Sequence, residues 1–135
     1  MDIAVKITLV ASLVMMGYNL HQLLTSYEAI CEKAKEFKAL ALENDSDEGA
    51  VRRSNFILTS VLSITYIVLI YLSGLAYWVM AFVAAKMAVS MFLSHLEISQ
   101  IFKEESIKPN FYRWTKVDSA VNTLTGLAVA VISIL

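Results

Sequence analysis

The stretch FILTSVLSITYIVLIYLSGLAYWVMAFVAAKMAVSMFLSHL, residues 56–96, decides the fold class. Its two apolar runs, 56–73 and 77–96, each approach the roughly 20 residues that cross a bilayer as a helix. Ser73 and Gly74 break the pattern between them, which predicts a tight helical hairpin. Working outward, 3–24 and 115–135 have the same apolar character. The expectation is all-α: an integral membrane four-helix bundle forming one domain over 1–135. Composition points the same way, with 58% hydrophobic residues against roughly 45–50% in soluble domains. Mean hydropathy is +0.63.

The first apolar run follows Asp2, holds Lys6, and offers no small-residue cleavage site before Tyr18. It reads as a retained membrane helix rather than a cleaved leader. All Lys and Arg except Lys6 and Lys86 lie in two loops: Lys33, Lys35, Lys38, Arg52 and Arg53 in one, Lys103, Lys108, Arg113 and Lys116 in the other. The positive-inside rule makes both loops cytoplasmic and both termini external, in a plasma or inner membrane. Tyr77 and Trp78 then anchor the outer interface, and Phe111, Tyr112 and Trp114 the inner one. A net charge of −1 gives nucleic acid nothing to bind.

Leu13, Met16, Leu20, Leu23, Tyr27, Ile30, Ala34, Phe37 and Ala41 follow at spacings of three and four. That seam predicts a long first helix extending into the cytoplasm, with 25–43 reaching about 28 Å below the membrane. Its flanks, Glu28, Glu32, Lys33, Lys35, Glu36 and Lys38, make a solvated face. The third helix is expected to run on to about residue 105. Nothing in the acidic 44–53 loop offers apolar cover for the seam residues Tyr27, Ile30, Ala34, Phe37 and Ala41. They are therefore expected to meet a homo-oligomer partner, another membrane subunit or a cytoplasmic partner, while the spans meet membrane lipid.

Lys86 stands alone in an apolar run, where a central lysine costs roughly 2.5–3.5 kcal/mol. On a helical wheel it shares a face with Ser90, Ser94 and Glu97, opposite Ala81, Ala84, Ala85 and Ala88, a small-residue face suited to close helix packing. The fourth span carries Asp118, Asn122 and Thr125, and the second carries Thr59 and Ser63, at helical spacing. Counted from the inner edge, Lys86 and Thr125 lie about 15 Å deep, Asn122 about 10 Å and Asp118 about 5 Å. Lys86 is therefore expected to reach down toward Asp118. These residues are either an ion pathway through helices 2–4 or polar glue between helices.

His21 and His95 fall at matching depth near the inner interface and are weak candidates for holding a haem. DSDEG, 45–49, begins like a calcium loop but lacks the rest of that pattern. Cys31 has no second thiol to pair with. No phosphate loop or nucleophile motif is present, so neither enzymatic activity nor a cofactor is expected. The functional expectations are an oligomeric ion-conducting channel, a scaffold or accessory subunit of a larger membrane complex, and, more remotely, a haem-binding electron-transfer subunit.

Overall fold

The computed structural model describes residues 1–104 and 106–135. Within them the chain is all-helical: α1 Ile3–Leu24, α2 Tyr27–Glu43, α3 Glu48–Leu72, α4 Tyr77–Glu104 and α5 Pro109–Ile134. By length and composition α1, α3, α4 and α5 can each cross a membrane. Their outward faces carry exposed Val14, Leu62, Phe82, Phe92 and Leu124, a surface suited to acyl chains. Residue 105, where the sequence places the end of the third helix, lies outside the described residues.

The first helix is not one rod. Thr25 and Ser26 are extended, with φ/ψ of −71°/131° and −70°/158°, and they separate α1 from α2. The Thr25 hydroxyl donates back to the His21 carbonyl at 2.8 Å, and the Ser26 hydroxyl caps α2 by accepting from Ala29 N at 3.2 Å. Adjacent Thr and Ser offer the backbone partners that compete with a continuous helix. Apolar periodicity is blind to that chemistry, because the seam keeps its phase on both sides of the break.

The other turns follow their residues. Gly74 closes α3 at φ 72°, donating to the Tyr71 carbonyl at 3.0 Å in the left-handed conformation glycine favours. The Asp47 carboxylate caps α3 by accepting from Ala50 N at 2.8 Å, so this helix begins a full two turns before the apolar run. Pro109 occupies the first turn of α5, where its missing N–H costs nothing.

Among the membrane-length helices α1 packs most extensively on α5, and α3 on α4. Gly126 permits the first contact. A Cβ there would lie 2.9 Å from the Ser12 carbonyl oxygen and 3.2 Å from the Met16 backbone nitrogen. The two pairs join at the end nearest Gly74, hereafter the hairpin end, around buried Tyr66, Ile70, Val79, Val83 and Val129. The expected alanine face does not pack inside the chain: Ala81, Ala85 and Ala88 are exposed, and α4 uses Val79 and Val83 instead.

A second apolar cluster joins Ala34 of α2 to Ile101, Ile107 and Phe111, with Ile30 and Tyr112 against it. This corrects the expectation that the seam lacks cover in its own chain. Ile101, Ile107 and Phe111, the last expected only as an interface anchor, supply the cover for Ile30 and Ala34. Phe37 and Leu40 remain exposed.

Candidate functional site

Lys86 points into a polar cluster between α4 and α5. Its ammonium forms an ion pair with Asp118 Oδ1 and donates to Ser90 Oγ at 2.9 Å. Ser90 Oγ donates to both Asp118 oxygens, at 3.1 and 3.0 Å. Asn122 Nδ2 donates to Asp118 Oδ2, Ser90 Oγ and Asn19 Oδ1, each at 3.2 Å. The Lys86 and Asp118 side chains are only 11% and 14% exposed, so each charge depends on the other rather than on solvent. Hydrogen bonds satisfy the remaining carboxylate lone pairs, the condition under which a buried pair is tolerable.

Asn19 is the member that sequence reasoning missed. It stands among Tyr18, His21 and Gln22 in the polar last part of the first span, and an amide there is a signal in its own right. Its Nδ2 is fixed by the Met15 carbonyl at 2.8 Å, which leaves Oδ1 to receive Asn122. The cluster thus ties α1 to α4 and α5.

Toward the loop end the helices part around an open cleft of about 1230 Å³. Ser90, Asp118 and Asn122 lie on its wall, and so do Ser94, Glu97, Thr59 and Ser63. Lys86 and Thr125 do not. Thr125 and Thr59 turn their hydroxyls onto their own helices, to the Val121 and Asn55 carbonyls, each at 2.7 Å. Ser94 Oγ receives Asn55 Nδ2 at 3.0 Å across α3 and α4. The apolar face of α2 forms another wall: Ile30, Ala34, Phe37 and Ala41 line the cleft, while Glu28, Glu32 and Glu36 on the same helix are exposed.

The hairpin end is closed beneath a smaller recess of about 480 Å³ at its tip, lined by Tyr71, Leu72, Gly74 and Tyr77. Ile70, Val83 and Val129 are at most 2% exposed. The hydroxyls among them are spent on one another: Thr8 Oγ1 and Ser73 Oγ lie 2.7 Å apart, Ser12 Oγ and Tyr66 OH 2.6 Å. Among the described residues this core stands between the cleft, whose wall reaches Ala11 and Tyr66, and the hairpin tip.

The break between α1 and α2 is held from across the bundle. Lys116 Nζ donates to the carbonyls of Gln22 at 2.6 Å and Leu23 at 2.7 Å, and also to that of Thr25. α1 ends there, so its last carbonyls lack the i+4 amide partner (the Gln22 carbonyl also accepts from Thr25 N at 3.3 Å), and a cation at a helix C-terminus meets its dipole favourably. Tyr112 donates to the Thr25 carbonyl at 3.2 Å and meets Tyr27 edge to face at 5.1 Å. Tyr27 in turn donates to the Ile107 carbonyl at 2.5 Å. Hydrogen bonding with the Cys31 thiol pushes the Tyr27 phenol above its ordinary pKa.

The histidines are not brought into a common site. The Arg52 guanidinium lies against both ring nitrogens of His95, one contact at 3.4 Å, and His21 sits exposed on α1. Among the described residues no group of His, Cys, Asp and Glu could hold a metal ion. No protein-family model, no curated protein and no solved structure matches this chain.

Proposed function

We propose that this small multi-pass membrane protein moves an ion or small polar solute, with the cleft as its entrance and the hairpin end as its closed gate. The observation that carries this reading is the polar cluster on the wall of the cleft. Intramembrane charges and amides are expensive, and those facing a cavity serve passage more readily than packing. The concentration of Lys and Arg at the loop end supports a cytoplasmic mouth by the positive-inside rule. Passage requires either rearrangement of the Thr8–Ser73 and Ser12–Tyr66 contacts or a route between chains of an oligomer. Conduction in the second form is the oligomeric channel.

A scaffold or accessory role is the second reading. It is favoured by the exposed alanine face of α4 and by Leu40 and Leu42 at the far end of α2, which offer a partner apolar contact. The haem reading gains nothing from this arrangement, since an axial ligand must offer a free ring nitrogen and Arg52 occupies His95.

Accessibility and flux decide between the two. In a Cys31→Ser background, Ser63→Cys should react with a membrane-impermeant maleimide from the loop side only, and Val83→Cys from neither side. Purified protein in liposomes should also raise ion flux above that of protein-free vesicles. Labelling without flux for any tested ion leaves the scaffold reading standing, and an unreactive Ser63→Cys removes the open cleft altogether.

A further inference from the structure

The charges around the cleft are not all spent. Asp118 is neutralised by Lys86. Lys116, also on the wall, has its ammonium committed to the carbonyls at the end of α1. Lys33 lies exposed on α2 at the rim, where water and salt screen it. Glu97 differs from all of these. It lines the cleft, half-buried, and no described residue gives its carboxylate a hydrogen bond or an ion pair. No fully buried side-chain polar atom lacks a partner among the described residues, so the Glu97 oxygens must open onto the cleft.

The cleft that Glu97 lines carries hydroxyls at Ser94, Thr59 and Ser63 and a larger apolar and aromatic share. Leu93 and Ile101 stand one turn to either side on α4, and Met91, Leu58 and Phe37 face the same space. A bare metal ion would find one carboxylate and a few hydroxyls there, short of the oxygen shell that hard cations demand. An inorganic anion would be repelled. What fits a single unspent negative charge set in mostly apolar walls is one positive charge carried on an apolar body, with Phe37 and Tyr18 available as ring faces. The cleft of about 1230 Å³ has room for a drug-sized molecule.

We infer that the cleft is a binding site for a small amphipathic organic cation, an ammonium or phosphonium centre on an aromatic or aliphatic body, held by the Glu97 carboxylate. This rests on the reading of the cleft as an entrance open to solvent. It goes beyond that reading by assigning the ligand class and the residue that selects it.

The probe is tetraphenylphosphonium, its binding to the purified full-length chain in dodecyl maltoside measured by equilibrium dialysis. Wild type should bind it saturably. Glu97→Gln should weaken binding about tenfold or more, the loss expected when the Coulombic attraction between two opposite charges is removed. Glu97→Asp should fall between them, and Glu36→Gln, on the outer face of α2, should match wild type. Neutral triphenylphosphine oxide should fail to compete. Unsaturable wild-type binding, an unchanged Glu97→Gln, or equal competition by the oxide each overturns the inference. If Glu97→Gln does not stay monodisperse, Glu97→Asp and the oxide competition decide. Failure of binding with Ser63→Cys still labelled sinks the ligand assignment alone, whereas an unlabelled Ser63→Cys sinks the entrance beneath it.

Discussion

The two ends of the bundle use polar residues in opposite ways. At the hairpin end Thr8, Ser12, Tyr66 and Ser73 turn their hydroxyls on one another and on backbone, and apolar side chains close over them. At the loop end Ser90, Asn122, Asp118 and Glu97 line a space. The difference is not the supply of polar groups but their size and charge. A hydroxyl can be satisfied by its own helix and a single neighbour, so it permits close packing. An ion pair with an amide needs several partners, here drawn from α1, α4 and α5, and it stands on the wall of the cleft. The first arrangement makes a seal, the second a wall.

The most severe way to break the contrast is to remove the centre of the polar cluster. Asp118→Ala strips the shared acceptor from Lys86, Ser90 and Asn122, and should cost about 3–5 kcal/mol of stability in a denaturant titration in detergent. Adding Lys86→Met should recover most of it, since the stranded charge then disappears. If the double variant is no more stable than the single one, the ion pair is not what the cluster exists to satisfy.

Gly126 tests the sealed side. Gly126→Ala pushes a methyl group to 2.9 Å from the Ser12 carbonyl, a backbone atom that cannot swing away, so about 1–3 kcal/mol should be lost. Gly17→Ala, which meets nothing within 4 Å, should be neutral or slightly stabilising. Equal effects at the two positions would mean α1 and α5 are not pressed together as described.

Much of this contrast can be read from residue order, and the unread part has physical reasons. The 3–24 run coincides with α1, and the Ser73–Gly74 break falls where α3 ends. Charge and depth alone pair Lys86 with Asp118. The Thr25–Ser26 break escapes a periodicity argument because capping is local chemistry that leaves the apolar phase intact. Cover for Ile30 and Ala34 escapes because Ile107 is a lone apolar residue among charges and Phe111 one of an interface group, and no pattern announces where they dock. The cleft itself is invisible in one dimension, since it is a divergence between helices whose separate faces all look ordinary.

Smaller effects sharpen the boundary between the halves. Lys116→Met releases the three carbonyls at the end of α1 and should cost about 0.3–2 kcal/mol. The loss should appear mainly as faster amide exchange in α2, whose position depends on that junction. Uniformly faster exchange through all helices would instead make Lys116 a general stabiliser. Tyr66→Phe removes one partner of Ser12, which keeps its bond to the Thr8 carbonyl at 2.7 Å. A loss near 0.6 kcal/mol is expected, typical of an interhelical hydrogen bond in a membrane. A loss several times larger would show the seal to be cooperative.

The close packing of α1 on α5 also sets an order of events during synthesis. Asn19 must wait for Asn122, 103 residues later, and the carbonyls of Gln22 wait for Lys116, 94 residues later. At roughly 5–20 residues per second that is an interval of about 5–20 s. Meanwhile α3 and α4, joined by a short turn, can pair as soon as both have left the ribosome. Until α5 arrives, the flank of α1 that carries Asn19 has no permanent companion. This is the interval in which an insertion chaperone, or the translocon wall itself, has something to shield.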